Sequence, residues 1–175
     1  MTTQRTMVVT GASRGLGAAV AQLAARRGYA VCVNYAQDEA RANGIVAAIR
    51  DEGGKAIAIR ADVGEEDDVM DMFRRVDAEM GPVDVLVNNA GISGPHSRVD
   101  SMQFHHIKRM FETNVFGTLL CSREAIRRMS RRHGGNGGSI VNFSSASSRL
   151  GGAGRNVHYS ASKGAINSMT IGLAR

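Results

Sequence analysis

Five short apolar runs, each separated from the next by an amphipathic stretch, constrain this chain more than any other feature. The runs are Thr6–Thr10 (TMVVT), Ala30–Asn34 (AVCVN), Ala56–Arg60 (AIAIR), Val83–Asn88 (VDVLVN) and Ser139–Phe143 (SIVNF). They are brief, rich in β-branched residues and apolar on both faces, as strands are when helices cover both sides of a parallel sheet. The intervening segments predict helices over Gly15–Arg27, Asp38–Glu52, Glu65–Met80 and Ser101–His133, the last in two parts. A final helix is expected from Val157 to the end. Strand and helix in unbroken alternation predict an α/β, doubly wound parallel sheet. Right-handed crossovers then allow the strand order 3-2-1-4-5. No linker or internal repeat interrupts the pattern, so residues 1–175 read as a single domain able to bury a core. The patch Gly134-Gly135-Asn136-Gly137-Gly138 reads as a turn into the fifth strand.

Several function classes recede at this level. The N-terminus shows no secretory pattern, and no apolar run approaches the roughly 18 residues that would span a membrane. Cys32 and Cys121 form no C-x-x-C pair and read as two buried thiols in a reducing compartment, so a cytoplasmic location is expected. The formal charge is +6. The doublets Arg26-Arg27, Arg74-Arg75, Arg127-Arg128 and Arg131-Arg132 are spread along the chain, toward predicted helix ends that favour cations. They are not interleaved with aromatics, so no nucleic-acid partner is expected. Attraction of an anionic cofactor is a sufficient use for the charge. His105-His106 are adjacent and cannot face one metal from a helix, and no metal is expected. His158 could line a substrate mouth, cap the helix or lie on the surface.

Chemistry concentrates where the runs end. Thr10-Gly11-Ala12-Ser13-Arg14-Gly15-Leu16-Gly17 follows the first strand and opens the first helix. Gly11 sits at the tight turn, and Gly15 and Gly17 let the backbone approach a pyrophosphate at a helix N-terminus. The spacing is G-x-x-x-G-x-G rather than G-x-G-x-x-G. Gly11, Ser13, Arg14, Gly15, Leu16 and Gly17 are the candidate cofactor contacts of this loop. Asp62-Val63 follows the third strand, where an acid either accepts from an adenine amino group or caps the next helix. Asn88-Asn89-Ala90-Gly91 follows the fourth strand, at the carboxyl edge where such sheets bind ligands. Of these, Asn89, Ala90 and Gly91 are the candidate contacts.

The last helix carries Tyr159-Ser160-Ala161-Ser162-Lys163, a phenol and an ammonium one turn apart on one face. A free phenol titrates near pH ~10 and is a weak acid or base at neutrality. A neighbouring ammonium, and the positive ring of an oxidised nicotinamide, both favour the phenolate. Tyr159 is then suited to protonate a carbonyl oxygen being reduced and to deprotonate an alcohol in reverse. The run Phe143-Ser144-Ser145-Ala146-Ser147-Ser148 can bring a hydroxyl to the same substrate oxygen.

In this order, T-G-x-x-x-G-x-G, D-V, N-N-A-G, an Asn in the long helix, a Ser after the fifth strand and Y-x-x-x-K resemble the short-chain dehydrogenase/reductase family, whose fold is Rossmann-like. The resemblance implies nicotinamide-dependent interconversion of an alcohol and a ketone or aldehyde. It implies Tyr159 as acid/base, Lys163 as the ribose-binding residue that tunes it, and Asn114 as holder of a proton-relaying water. The carbonyl-polarising serine is expected to be Ser145, fourteen residues before Tyr159 and one more than the usual spacing. Ser147 is the reserve, and Ser144 is expected to face the core or the cofactor backbone.

Cofactor choice follows from the end of strand two, where NAD-preferring relatives place an acid on the ribose hydroxyls. Here the aligned position is Tyr35, which offers no carboxylate against a 2′-phosphate, and Arg14 is placed to pair with one. NADP(H) is therefore expected over NAD(H), with a small carbonyl or alcohol as substrate. The family also continues into a sixth and seventh strand, so this chain, ending at Arg175 inside a helix, is expected to be C-terminally incomplete. The fifth strand would then be an exposed edge. By the same resemblance the two long helices would pack a homodimer or tetramer. A non-catalytic nucleotide-binding or interaction protein, or an inactive fragment, is the alternative.

Overall fold

The structure, a computed structural model, describes residues 4–174. Met1–Thr3 and Arg175 lie outside it, including the last residue of the expected final helix. Five parallel strands form one sheet in the order β3-β2-β1-β4-β5: β1 Thr6–Val9, β2 Ala30–Tyr35, β3 Ala56–Arg60, β4 Val83–Asn88 and β5 Ser139–Asn142. The expected order and all five strands are present, with ends moved by a residue or less. The helices are α1 Gly15–Arg26, α2 Glu39–Asp51, α3 Glu66–Met80, α4 Phe104–Phe111, α5 Gly117–Met129, α6 Ser147–Leu150 and α7 Val157–Leu173. Short 3-10 turns lie at Val99–Ser101 and Arg131–His133.

Alternation of side chains along the strands divides the core in two. On one face Val8, Cys32 and Leu86 pack with Val69, Met72, Phe73 and Val76 of α3 and with Cys121 and Ala125 of α5. On the other, Val9, Val31, Val33, Val85 and Val87 meet Ala21 and Ala24 of α1 and Ala42, Val46 and Ile49 of α2. The register Val8↔Cys32 and Val8↔Leu86 places like-facing residues side by side. The alanines of α1 hold that helix close to β1, which fixes the loop between them. Both cysteines are free and fully buried in the first cluster, and burial pushes each thiol up to about 12. They are packing residues.

The expected split of the long fourth helix is a single π turn, Glu112–Phe116, between α4 and α5. The axis continues through it, while Thr113, Asn114 and Val115 are buried. Such turns insert one residue and re-aim side chains, and they recur at functional sites.

Arg74-Arg75 departs from the helix-end pattern: it sits mid-way along α3, whose last turn has no basic residue. Arg75 bonds Glu79 one turn on, as an i,i+4 pair on an exposed face. Glu124 of α5 is nearly buried and accepts from Arg123, Arg127 and Arg128 at 2.9–3.1 Å. Arg128 also reaches Asp77 and covers the Phe73 ring at 5.1 Å. Burial by itself would raise the Glu124 pKa, but the bonds and charges of Arg128, Arg123 and Arg127 outweigh it and leave it lowered. A carboxylate depressed on folding stabilises above its unfolded pKa, and that contribution is lost as pH falls through the folded value. Glu124→Gln is therefore expected to cost about 1–3 kcal/mol at neutral pH. The difference from wild type should shrink in urea melts taken progressively below pH ~4.5; a difference constant with pH would contradict it.

Candidate active site

The glycine loop is built by residues around it. Asn34, in β2, accepts from the Gly11 N–H at 3.1 Å and donates to the carbonyls of Ile59 and Ala61 at 3.3 and 3.0 Å. The Thr10 hydroxyl accepts from the N–H groups of Asn89 and Ala90, both at 3.0 Å. Asn89 Nδ2 donates to the carbonyls of Thr10 and Gly11 at 2.8 and 3.0 Å. Asn89 thus straps the β4 loop to the β1 loop, and its amide is spent on backbone. Neither Asn34 nor the Thr10 hydroxyl stood out among the candidates. A buried Asn at the end of a central strand was the available signal for Asn34, because such a side chain must find partners.

The loop leaves open the space a pyrophosphate would need. Arg14, Gly15 and Leu16 are exposed and Ser13 is half-buried at the rim. Gly15 has φ +59°, and a Cβ built there meets nothing within 4 Å. No side chain caps α1 and no acidic residue stands in its first turn. The first N–H groups of a helix lack intrahelical partners, so this N-terminus suits an anion. Gly17, in contrast, is packed shut against Asn89, Gly11 and Ala12.

On the β3 side, Asp62 is not the cap of α3, which begins at Glu66 behind Glu65. Its Oδ1 accepts the Gly64 N–H at 3.0 Å, closing a tight turn, and its Oδ2 pairs with the Arg109 guanidinium. The Val63 side chain is buried in the core under Gly117, leaving only its backbone to a ligand.

Tyr35 ends β2, as expected, but only 6% of it is exposed, with its ring in the second core cluster. Burial first, and then the charge and hydrogen bonding of Glu39, push its phenol pKa upward. The strand end itself carries no carboxylate, as expected, and Glu39, four residues on in the first turn of α2, is the acid that acts on this phenol.

The remaining groups converge on the carboxyl end of β4 and β5. Lys163 is 6% exposed, and its Nζ donates to the Phe143 carbonyl at 2.7 Å. A Cβ at Gly91 would lie 3.4 Å from that Nζ and 3.3 Å from Asn114 Oδ1, so Gly91 keeps a channel between them clear. Burial pushes the Lys163 pKa down. Asn114, held by the π turn, accepts from the Ile92 N–H at 2.8 Å and donates to the Ile92 carbonyl at 2.9 Å. It also donates to Ser162 Oγ at 3.0 Å. Tyr159 is half-buried, with its ring centre 6.0 Å from Lys163 Nζ.

Ser144 donates to the Lys163 carbonyl at 3.0 Å, tying β5 to α7, in keeping with its expected inward role. Ser145 Oγ accepts the Ser147 N–H at 3.2 Å, which leaves its own proton to donate elsewhere. Such a set can bind a carbonyl oxygen between two hydroxyls, with an ammonium behind one of them.

His158, left open from the sequence, is buried with Nδ1 unpartnered, and burial and then His106 lower its pKa. The rings of His105 and His106 lie 4.0 Å apart, tilted by 51°, and no group of metal-binding residues occurs among the described residues. No helix described is long and apolar enough to cross a membrane. A cleft of about 390 Å³ between Arg98–Asp100 and Gly154–Val157 is lined by none of the site residues.

Comparison with known proteins agrees with this geometry. The family model described as short chain dehydrogenase matches residues 5–175. The chain is 47% identical over 167 residues to the uncharacterized oxidoreductase YgfF of Escherichia coli K12, covering 95% of this chain and 68% of that protein. It is 38% identical over 165 residues to the L-rhamnose 1-dehydrogenase (NAD(P)(+)) of Sphingomonas sp. SKA58, covering 94% and 63%. A solved short-chain dehydrogenase/reductase from Serratia marcescens BCRC 10948 superposes with TM-score 0.91 at 32% identity, over 100% of this chain and 69% of that one. The chain spans about two thirds of the length of these relatives. A parallel sheet in this order, an open glycine turn before an uncapped helix, and a Tyr–Lys pair at the sheet edge therefore have one explanation: the chain belongs to the short-chain dehydrogenase family, the NAD(P)-dependent dehydrogenases and reductases.

Proposed function

We propose that this chain carries the cofactor site and the catalytic residues of an NADP(H)-dependent oxidoreductase that interconverts a secondary alcohol and a ketone, or a primary alcohol and an aldehyde. The observation that carries the reading is the buried Lys163, fixed by Phe143 beside Asn114 and one helical turn from Tyr159. A buried ammonium costs free energy, and stabilising an oxyanion next to it is a reason to keep one. When bound, the nicotinamide cofactor supplies or accepts the hydride.

The chain's residues do the rest. Ser145 donates to the substrate oxygen. Tyr159 gives its proton to that oxygen in reduction and takes it back in oxidation. Lys163 holds the nicotinamide ribose and stabilises the phenolate, and Asn114 orders the water through which the proton is replaced. Gly11, Ser13, Arg14, Gly15, Leu16 and Gly17 cradle the pyrophosphate, with Asp62, Val63, Asn89, Ala90 and Gly91 along the rest of the dinucleotide. Tyr35 borders the ribose corner, and Arg14, exposed and free of any ion pair among the described residues, pairs with the 2′-phosphate. Relatives named for glucose, L-rhamnose, cis-4-hydroxycyclohexanecarboxylate and 3-oxoacyl groups support a hydroxyl or carbonyl substrate. Phe116 at the end of the π turn, Leu119 on α5 and Ile171 on α7 are exposed apolar residues suited to a homo-oligomer contact.

Calorimetric titration of the chain with NADPH and with NADH tests the reading. Binding of NADPH about tenfold or more tighter than NADH is expected, since a desolvated charge-assisted pair is worth about that much. A preference for NADH would instead assign the corner to Glu39. A folded chain that binds neither would support the non-catalytic alternative.

A further inference from the structure

We infer that Arg109 is a positioning residue for recognition of the cofactor's base: it pins the Asp62 carboxylate so that the chain accepts a base bearing an amino group and rejects one bearing a carbonyl there. The inference rests on the cofactor reading above. Asp62 is held from three sides. Its N–H donates to Asp68 Oδ2 at 2.8 Å, its Oδ1 accepts from Gly64 N–H at 3.0 Å, and its Oδ2 takes the Arg109 guanidinium. Each carboxylate oxygen has two acceptor positions, so acceptor capacity remains after these bonds. The side chain is 25% exposed, so the carboxylate is not closed off by the packing around it.

Arg109 comes from the last turn of α4, far from Asp62 in sequence, and the packing around it is closed. A Cβ at Gly64 would lie 3.1 Å from Arg109 Nη1, 3.3 Å from Asp62 Oδ1 and 3.3 Å from the Glu112 carbonyl carbon. A Cβ at Gly117 would strike Val63 at 2.7 Å. The Asp62-Val63 turn is thus seated against both flanks of the π turn. An isolated carboxylate on a surface turn rotates freely, whereas this one accepts the Gly64 N–H at Oδ1 and an Arg109 N–H at Oδ2, and two bonds at opposite oxygens hold its plane. The same cation offsets the repulsion between Asp62 and an incoming polyphosphate.

Position fits as well. β3 lies two strands from β1, about 10 Å at the usual strand spacing. That is the reach of an adenosine arm whose pyrophosphate rests on the glycine turn. An ionised carboxylate only accepts hydrogen bonds, so it favours the exocyclic amine of adenine over the carbonyl of hypoxanthine.

The test is the affinity of the full chain for NADPH and for its deaminated, hypoxanthine-bearing counterpart, measured by calorimetry in wild type, Arg109→Met and Arg109→Lys. Wild type is expected to prefer the adenine form by about tenfold or more, since sites built around a hydrogen bond discriminate strongly. Arg109→Met should bring the ratio to within about twofold while changing hypoxanthine-form binding by less than about threefold. Arg109→Lys keeps the charge on a shorter donor without the planar guanidinium and should retain an intermediate ratio. It also decides the matter if the Met variant does not fold. Equal weakening of both ligands would make Arg109 a structural brace and overturn the inference. A wild type that binds both forms equally would overturn it and leave the cofactor reading standing. A wild type that binds neither would overturn both.

Discussion

Replacing Tyr159 with phenylalanine is expected to lower turnover by roughly 10²- to 10⁴-fold, the usual contribution of a positioned general acid or base. That range corresponds to about 3–5 kcal/mol of transition-state stabilisation. The ring is half-buried in the first turns of α7, and phenylalanine keeps its packing, so folding should be unaffected. Cofactor affinity, read by calorimetry, should stay within about threefold, because Lys163 keeps its bond to the Phe143 carbonyl at 2.7 Å without the phenol. The effect should therefore fall on kcat rather than on binding. The measurement is cofactor oxidation in the presence of a carbonyl compound that the wild-type chain reduces. An unchanged rate would remove Tyr159 from the chemistry and leave Ser145 or water as the proton source. A large loss of cofactor binding would show that the hydroxyl is part of the binding site instead.

That Tyr159 and Lys163 lie side by side was legible from their spacing, because four residues on a helix is one face. Likewise the five strands were legible, each an apolar run too short for a helix, and their order followed from the handedness of the crossovers. What the sequence could not display were partners brought in from elsewhere. Asp62 and Arg109 are 47 positions apart, and nothing local marks them as a pair. The π turn at Asn114 is stabilised by bonds to Ile92 and Ser162, which belong to other elements. Tyr35 looked available because a strand end is normally open, yet tertiary packing buries its ring and brings Glu39 beside it. Asn89 looked like a ligand group for the same reason, and its amide turned inward to satisfy two carbonyls.

Alanine at Gly17 and at Gly15 should separate what the glycine loop does for folding from what it does for binding. At Gly17 a Cβ would stand 2.4 Å from Asn89 Nδ2, 2.8 Å from the Gly11 carbonyl oxygen and 3.0 Å from Ala12 Cα. Two of these are backbone, and the Asn89 amide is held by bonds to the Thr10 and Gly11 carbonyls at 2.8 and 3.0 Å. Relief requires breaking those bonds or lifting α1 from β1. Overpacking with the loss of a hydrogen bond costs about 2–4 kcal/mol. For a domain of this size that lowers Tm by roughly 5–15 °C in thermal melts followed by circular dichroism. At Gly15 the same methyl meets nothing within 4 Å, and the strain is only that of φ +59°, about 1–2 kcal/mol. Gly15→Ala should thus melt within several degrees of wild type yet bind NADPH about tenfold or more weakly, because its methyl enters the space left for the pyrophosphate. Equal melting points for the two variants would mean that Gly17 is not packed as described. Undiminished NADPH affinity in Gly15→Ala would place the pyrophosphate away from the N-terminus of α1, and the loop would then owe its glycines to the turn alone.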